Sequence, residues 1–411
     1  MLHTGNRPNG RRARLLPMMA AGLCAVLASC SSGTTTPVDD VSETGAPASS
    51  SSSEATTPAA APTPATERFS LVATGDVLLH ESLWDQATKD ARRTGSGSMD
   101  FGPMLAGVKP YVDAADVALC HLETPLAPEG GPYSAYPMFS GPPEIADGLA
   151  ATGYDVCSTA SNHTFDKGAD GVDRTLDGLD EAGIEHAGSA RTEKESRRIT
   201  RLDVNGVSVA FLSYTYGFNG MDWPDGQTWR SNLISPERIL RDATRARKQG
   251  ADVVVAAMHW GTEYDQSPSS QQTSLAPELA RSGKLDLIIS HHAHVVEPVT
   301  RIGKTWVVYG LGNLIADHST PGDPNAEGLL TRFTFERPAG ARRFTVQQAE
   351  YVPLLMTKQP PYRVLDVRKA LRTKKYGSTD RARLLEALRR TTSVVESLKG
   401  AKKGLTPAAI P

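Results

Sequence analysis

The chain of 411 residues is poor in several things, and each shortage excludes a class of protein. Cysteine is scarce: only Cys24, Cys30, Cys120 and Cys157 occur, with no Cys-x-x-Cys pair, so a thiolate zinc site is excluded. Excess charge of one sign is missing. Lys and Arg total 44 against 46 Asp and Glu, a net charge of −2, and no bulk positive field points to nucleic acid. The apolar run at 15–28 falls short of the ~20 residues that a helix needs to cross a bilayer. No internal repeat is visible, which argues against a solenoid.

What is present divides the chain into unequal parts. Arg7, Arg11, Arg12 and Arg14 form a basic start, the apolar run follows, and Leu27-Ala28-Ser29-Cys30 closes it. This order reads as a secretion signal over residues 1–30 with Cys30 as the lipidation site. The plainer alternative is an ordinary cleaved signal in which Cys30 is incidental. Residues 31–66 are almost all Ser, Thr, Pro and Ala with a few acids, a composition unable to bury a core, and they read as a flexible tether. The expected location is therefore outside the cytoplasmic membrane, held to it by a lipid anchor. Cys120 and Cys157 remain in the mature part. An oxidising compartment permits a bridge between them, although both also lie in apolar runs where free buried cysteines are common.

From residue 67 to 357 short apolar runs alternate with amphipathic stretches, the pattern of an α/β layered domain. Strands are expected at Phe69 to Leu79, Asp116 to Cys120, Tyr154 to Thr159, Asp252 to Met258, Leu285 to Ser290 and Thr305 to Tyr309. An Asn205-Gly206 turn precedes another strand from Val207 to Ser213. Ser235-Pro236-Glu237 opens a helix and Gly250 closes it. Leu329 to Glu336 and Phe344 to Val352 read as late antiparallel strands. Residues 358–411 read as a helical extension. The arginines of its segment Arg381 to Leu398 are most simply a solvated face, with contact to an anionic polymer as the sharper reading.

The histidines carry the chemistry. His80, His121, His163, His259, His291, His292 and His294 all fall at or just past expected strand ends, where α/β folds build ligand sites. Carboxylates and amides accompany them: Asp76, Glu123, Asn162 and Asp166. Two divalent ions ~3.5–4 Å apart repel and need an anionic bridge, which carboxylates supply while imidazoles complete the shells.

The order of these segments resembles the poly-γ-glutamate capsule-synthesis (CapA-type) family. The matching stretches are Gly75-Asp76-Val77-Leu78-Leu79, His121-Leu122-Glu123-Thr124-Pro125-Leu126, Ser161 through Gly168, His259-Trp260-Gly261-Thr262-Glu263-Tyr264, His291-His292-Ala293-His294-Val295 and Tyr309-Gly310-Leu311-Gly312-Asn313. That family is similar to calcineurin-like metallophosphoesterases, which implies a four-layer α/β/β/α sandwich. The resemblance also implies that Asp76 and His294 hold one ion, that Asn162, His259 and His292 hold another, and that Glu123 bridges. By the same resemblance His163 is the general acid, oriented by Asp166, unless it is a structural histidine tied to that carboxylate. The sequence departs from the broader pattern in four places. Leu78 stands where a histidine ligand is usual, leaving His80 as a substitute ligand or a substrate contact. Glu123 replaces an aspartate, His121 an asparagine and Ala293 a proline. The cofactor expectation is thus one or two divalent ions, of Mn, Fe or Zn type.

The function expected is a metal-dependent, phosphoesterase-like hydrolase of the cell envelope, linked to synthesis or processing of a capsule polymer such as poly-γ-glutamate. A non-catalytic protein that binds, retains or exports an anionic envelope polymer is the alternative.

Overall fold

The computed structural model describes residues 66–318 and 323–410. The signal segment with Cys30, and all but the last residue of the tether, lie outside the described residues.

Fifteen strands run along the described chain: β1 Glu67–Val77, β2 Val117–Leu122, β3 Val156–Ser158, β4 Glu185–Ala187, β5 Thr200–Val204, β6 Val207–Thr215, β7 Val253–Trp260, β8 Leu287–His292, β9 Val299–Ile302, β10 Thr305–Val308, β11 Asn313–Ile315, β12 Glu327–Arg337, β13 Thr345–Met356, β14 Val364–Asp366 and β15 Leu405–Pro407. They form two sheets. The first has the order β14-β13-β12-β1-β2-β3-β4, with β11 added on β1 and β15 on β13; the second is β5-β6-β7-β8-β10-β9.

The central strands are buried on both faces, as expected where helices cover a largely parallel sheet. Along β1, Phe69, Leu71 and Ala73 point between the sheets, where they meet Phe211, Val253, Val255, Leu287 and Ile289 from the second sheet. Val72 and Val77 point the other way, into a cluster built with the helices Glu81–Thr94 and Glu144–Thr152. Residues of β7 split in the same fashion: Val254, Ala256 and Met258 pack on the helices Pro236–Lys248 and Ser270–Arg281. Helix, sheet, sheet and helix are therefore stacked in four layers, as the resemblance implied. Each fully buried Val, Leu or Phe is worth ~1.5–3 kcal/mol relative to exposure, so the sandwich is held chiefly by this doubled core.

Local signals behave as read. Ser235 caps its helix by accepting a hydrogen bond from the Arg238 N–H, with Pro236 in the first turn. Asn205 and Gly206 both have positive φ and close the β5–β6 hairpin. Cys120 and Cys157 are register partners on adjacent parallel strands and are joined by a disulfide.

The stretch 358–411 is more than a helical extension. It holds the helices Val367–Thr373 and Arg381–Glu396, and it also sends β14 and β15 into the first sheet beside β13. Two arginines of its longer helix turn inward: Arg383 and Arg390 both donate to the buried Glu327 carboxylate, at 2.6 to 2.9 Å. Those two charges belong to the packing, not to a solvated face.

Candidate metal centre

β1, β2 and β3 run parallel in one sheet and β6, β7 and β8 in the other, and the contacts of Asp76 with His291 and of His121 with His259 bring the carboxyl ends of both sets together. Asp76 lies at the end of β1, and Glu123 directly follows β2. His259 is on the last turn of the β7 ladder, and His291 and His292 close β8. The β1 end is shaped by a very close approach. A Cβ on Gly75 would sit 1.9 Å from the Gly312 carbonyl oxygen, so only glycine fits, and the Asp76 N–H donates to that carbonyl.

Six side chains expected as ligands come together. Asp76 Oδ2 lies 3.2 Å from His294 Nδ1, and Glu123 Oε1 lies 3.6 Å from His294 Nε2 and 3.9 Å from His259 Nε2. His259 Nε2 is 2.9 Å from Asn162 Oδ1. The His292 ring centroid is 4.8 Å from that of His259 and 6.0 Å from that of His294. All six are buried. Asp76, Glu123 and His294 present donor atoms within 4.8 Å of one another, as do His121, Glu123 and His259.

His163 Nδ1 lies 2.8 Å from Asp166 Oδ2, and the same oxygen accepts the Phe139 N–H at 2.7 Å. Asp166 thus fixes both the imidazole and the loop over it. His80 is placed differently. Its Nδ1 accepts the Asp317 N–H at 3.1 Å, and its ring packs edge-on to Phe139 and His318. Among the described residues it joins none of the groups able to share an ion. Leu78, at the position where a histidine is usual, is buried against Phe139 and Ala316.

Several side chains that received no role from the sequence complete the constellation. His121 bridges Ser158 Oγ at 2.8 Å and His259 Nδ1 at 2.9 Å, and its ring stacks on His291 at 4.1 Å. His291 Nδ1 lies 2.9 Å from Asp76 Oδ1. Asn313 sets His294: its Oδ1 is 3.0 Å from Nδ1, and its Nδ2 donates to the carbonyl oxygens of His294 and Asn325. Such outer partners fix ring orientation and tautomer in metal sites. Trp260 is wholly inside the helix-side core, whereas Tyr216 stays partly exposed and leans on the His292 ring at 4.5 Å.

Electrostatics divide the carboxylates. Burial opposes the ionised form of Asp76, but hydrogen bonds from His291 and His294 outweigh it and hold the carboxyl well below its ordinary range. Burial pushes Glu123 well above its ordinary value; His294 opposes this, and Asp76 and Glu263 add to it. His294 is lowered by burial, yet Glu123 and Asp76 carry it up to about 9. His121 and His259 are driven well down, by burial first, and His292 down to about 3 for the same reason.

Both Glu123 oxygens are buried without any hydrogen-bond partner, and His291 Nε2 and His292 Nδ1 share that condition. An unsatisfied buried polar atom costs ~1–3 kcal/mol, and more when charged. Cations between these donors would satisfy them, and imidazole with carboxylate is a donor set suited to divalent Mn, Fe or Zn. The residues therefore fit the ions that the sequence implied.

Fold and site together define an α/β sandwich with clustered imidazole and carboxylate donors at the strand ends, the make-up of a divalent-metal protein. The chain belongs to the bacterial capsule synthesis protein family PGA_cap, whose model matches residues 70–318. It is 32% identical over 177 residues to capsule biosynthesis protein CapA of Bacillus anthracis, covering 42% of this chain and 43% of that protein. It is 31% identical over 165 residues to PGA biosynthesis protein CapA of Bacillus subtilis strain 168, covering 40% and 43%. The matches thus span less than half the length of these curated relatives. Among solved structures it is similar to the calcineurin-like phosphoesterase YfkN of Bacillus subtilis, with a TM-score of 0.43, 14% identity, and coverage of 80% of this chain and 97% of that one.

Proposed function

We propose that this protein is a metal-dependent hydrolase of phosphoesterase type, lipid-anchored outside the cytoplasmic membrane, that serves the synthesis or processing of a capsule polymer such as poly-γ-glutamate. The observation that carries the reading is Glu123, a buried carboxylate with both oxygens unpartnered and two imidazoles within 3.9 Å. Asp76, Glu123, Asn162, His259, His292 and His294 would hold one or two divalent ions, which supply Lewis acidity toward an ester or amide oxygen. His121 and Asn313 keep His259 and His294 in register. Asp166 holds His163 at Nδ1, leaving Nε2 as the atom that passes a proton to the leaving group. Phosphoester cleavage is what the resemblance to metallophosphoesterases implies, and a γ-glutamyl bond is an amide, so the assay must offer both.

The test uses the purified chain loaded with Mn, Fe or Zn and offered phosphomonoesters, phosphodiesters and poly-γ-glutamate. Turnover that is lost in Glu123→Ala and His292→Ala, with melting behaviour kept, supports the hydrolase. Tight polymer binding with no turnover under any metal would replace it with a binding protein.

A further inference from the structure

The place of the missing histidine at Leu78 raises the question of what completes the outer half of the centre. Glu263 stands at its rim, on the loop that follows β7. Its carboxylate and donor nitrogens of His292 and His294 all lie within 4.8 Å of one another. The carboxylate is exposed, and among the described residues no hydrogen bond or ion pair engages it. His292, by contrast, is buried, with Nδ1 unpartnered. A partnerless anion thus faces a partly unsatisfied imidazole pair.

The backbone holds this arrangement in place. The Tyr264 N–H donates to the Ala293 carbonyl oxygen at 2.8 Å and so staples the Glu263 loop to the His292–His294 loop. Both loops contain residues in the left-handed region: Tyr264 at φ 65°, His292 at 94° and His294 at 56°. Non-glycine residues there cost of order 1–3 kcal/mol each, and such strain gathers at functional sites. Gly261, at φ 114°, lets the loop turn back over the strand ends.

We propose that Glu263 is itself a metal ligand and, with His292 and His294, forms the outer ion position that Leu78 cannot serve. The inference rests on the metal-centre reading. It assigns that position to a divalent ion of Mn, Fe or Zn type, held by one carboxylate and two imidazoles. The inner donors Asp76, Asn162 and His259 remain for the other position, with Glu123 Oε1 between the two, 3.6 Å from His294 Nε2 and 3.9 Å from His259 Nε2.

The experiment compares the metal-stripped full chain with Glu263→Gln, Glu263→Asp and Glu123→Gln. Each is titrated with Mn2+, Zn2+ and Co2+, following bound equivalents by elemental analysis and the cobalt d–d spectrum. Glu263→Gln is expected to bind one equivalent at least tenfold more weakly, with a changed cobalt spectrum, while Glu263→Asp recovers part of the affinity. Because Glu263 is exposed, its metal-free variants should melt with the parent. If Glu263→Gln binds every equivalent as the parent does while Glu123→Gln loses metal, the assignment of Glu263 falls and the metal centre stands. If the parent binds no divalent ion at all, both fall.

Discussion

Replacing Glu123 with glutamine separates a metal bridge from an ordinary buried side chain. In the metal-free fold burial favours the neutral form of the Glu123 carboxyl and raises its pKa well above the ordinary value. Glutamine then exchanges one neutral polar group for another of nearly the same shape, and metal-free stability at pH 5 should change by less than about 1 kcal/mol. The pH dependence has a definite sign. A carboxyl whose folded pKa is raised contributes stability below its unfolded pKa and loses it as pH rises toward the folded value. The metal-free parent should therefore weaken from pH 5 to pH 8 more steeply than the variant. With metal the comparison changes. An ion at 100 times its Kd stabilises the fold by ~2.7 kcal/mol. At roughly 2 °C per kcal/mol for a domain of this size, each bound equivalent raises Tm by about 5 °C. Calorimetric melting of both proteins, stripped and loaded, reads all of this directly. Equal upward shifts in Tm for parent and variant would refute the bridging role. A metal-free variant several kcal/mol weaker at pH 5 would refute the protonated, unpartnered carboxyl.

The remaining expectations concern proton transfer and packing. If a phosphoester is turned over, His163→Asn should lower kcat by ~10²–10⁴, and the loss should shrink for esters with acidic leaving groups; an equal loss for all esters would remove the general-acid role. The disulfide closes a separation of 37 residues. Loop-closure entropy for that length gives ~4 kcal/mol, so reduction should lower the unfolding free energy by about that amount in urea titrations, and a change under about 1 kcal/mol would show that the bridge is idle. Glu327→Gln leaves Arg383 and Arg390 facing a neutral group, and a cost of ~3–5 kcal/mol is expected from chemical denaturation.

Strands and helices were readable wherever apolar period and punctuation agreed. Ser235-Pro236 and Asn205-Gly206 mark their elements because caps and turns are local chemistry. The clustering of histidines at strand ends was readable for the same reason, since the runs before them end there. Pairings that depend on register were not. The sequence allows Cys120 and Cys157 to bond but does not set β2 against β3 so that they are partners. His121 was visible as a strand-end histidine, yet its link to His259 crosses from one sheet to the other. The inward turn of Arg383 and Arg390 depends on a glutamate more than fifty residues earlier, and periodicity along a helix cannot see it.

The division of donors between the sheets has a consequence for how the centre is built. Asp76 and Glu123 come from the first sheet, and His259, His292 and His294 come from the second. No single strand pairing brings them together; the distance between them is set by the side chains packed between the sheets, among them Leu71, Ala73, Val255 and Ile289. Close-packed interiors transmit volume changes instead of absorbing them. A shift of one sheet against the other moves every carboxylate relative to every imidazole at once. The strained loop at His292 to His294 and the bare backbone contact at Gly75 then leave little freedom for local repair. Affinity for metal is thus a property of the inter-sheet core as much as of the donors, and the donors can stay unpartnered and buried because that core holds them there.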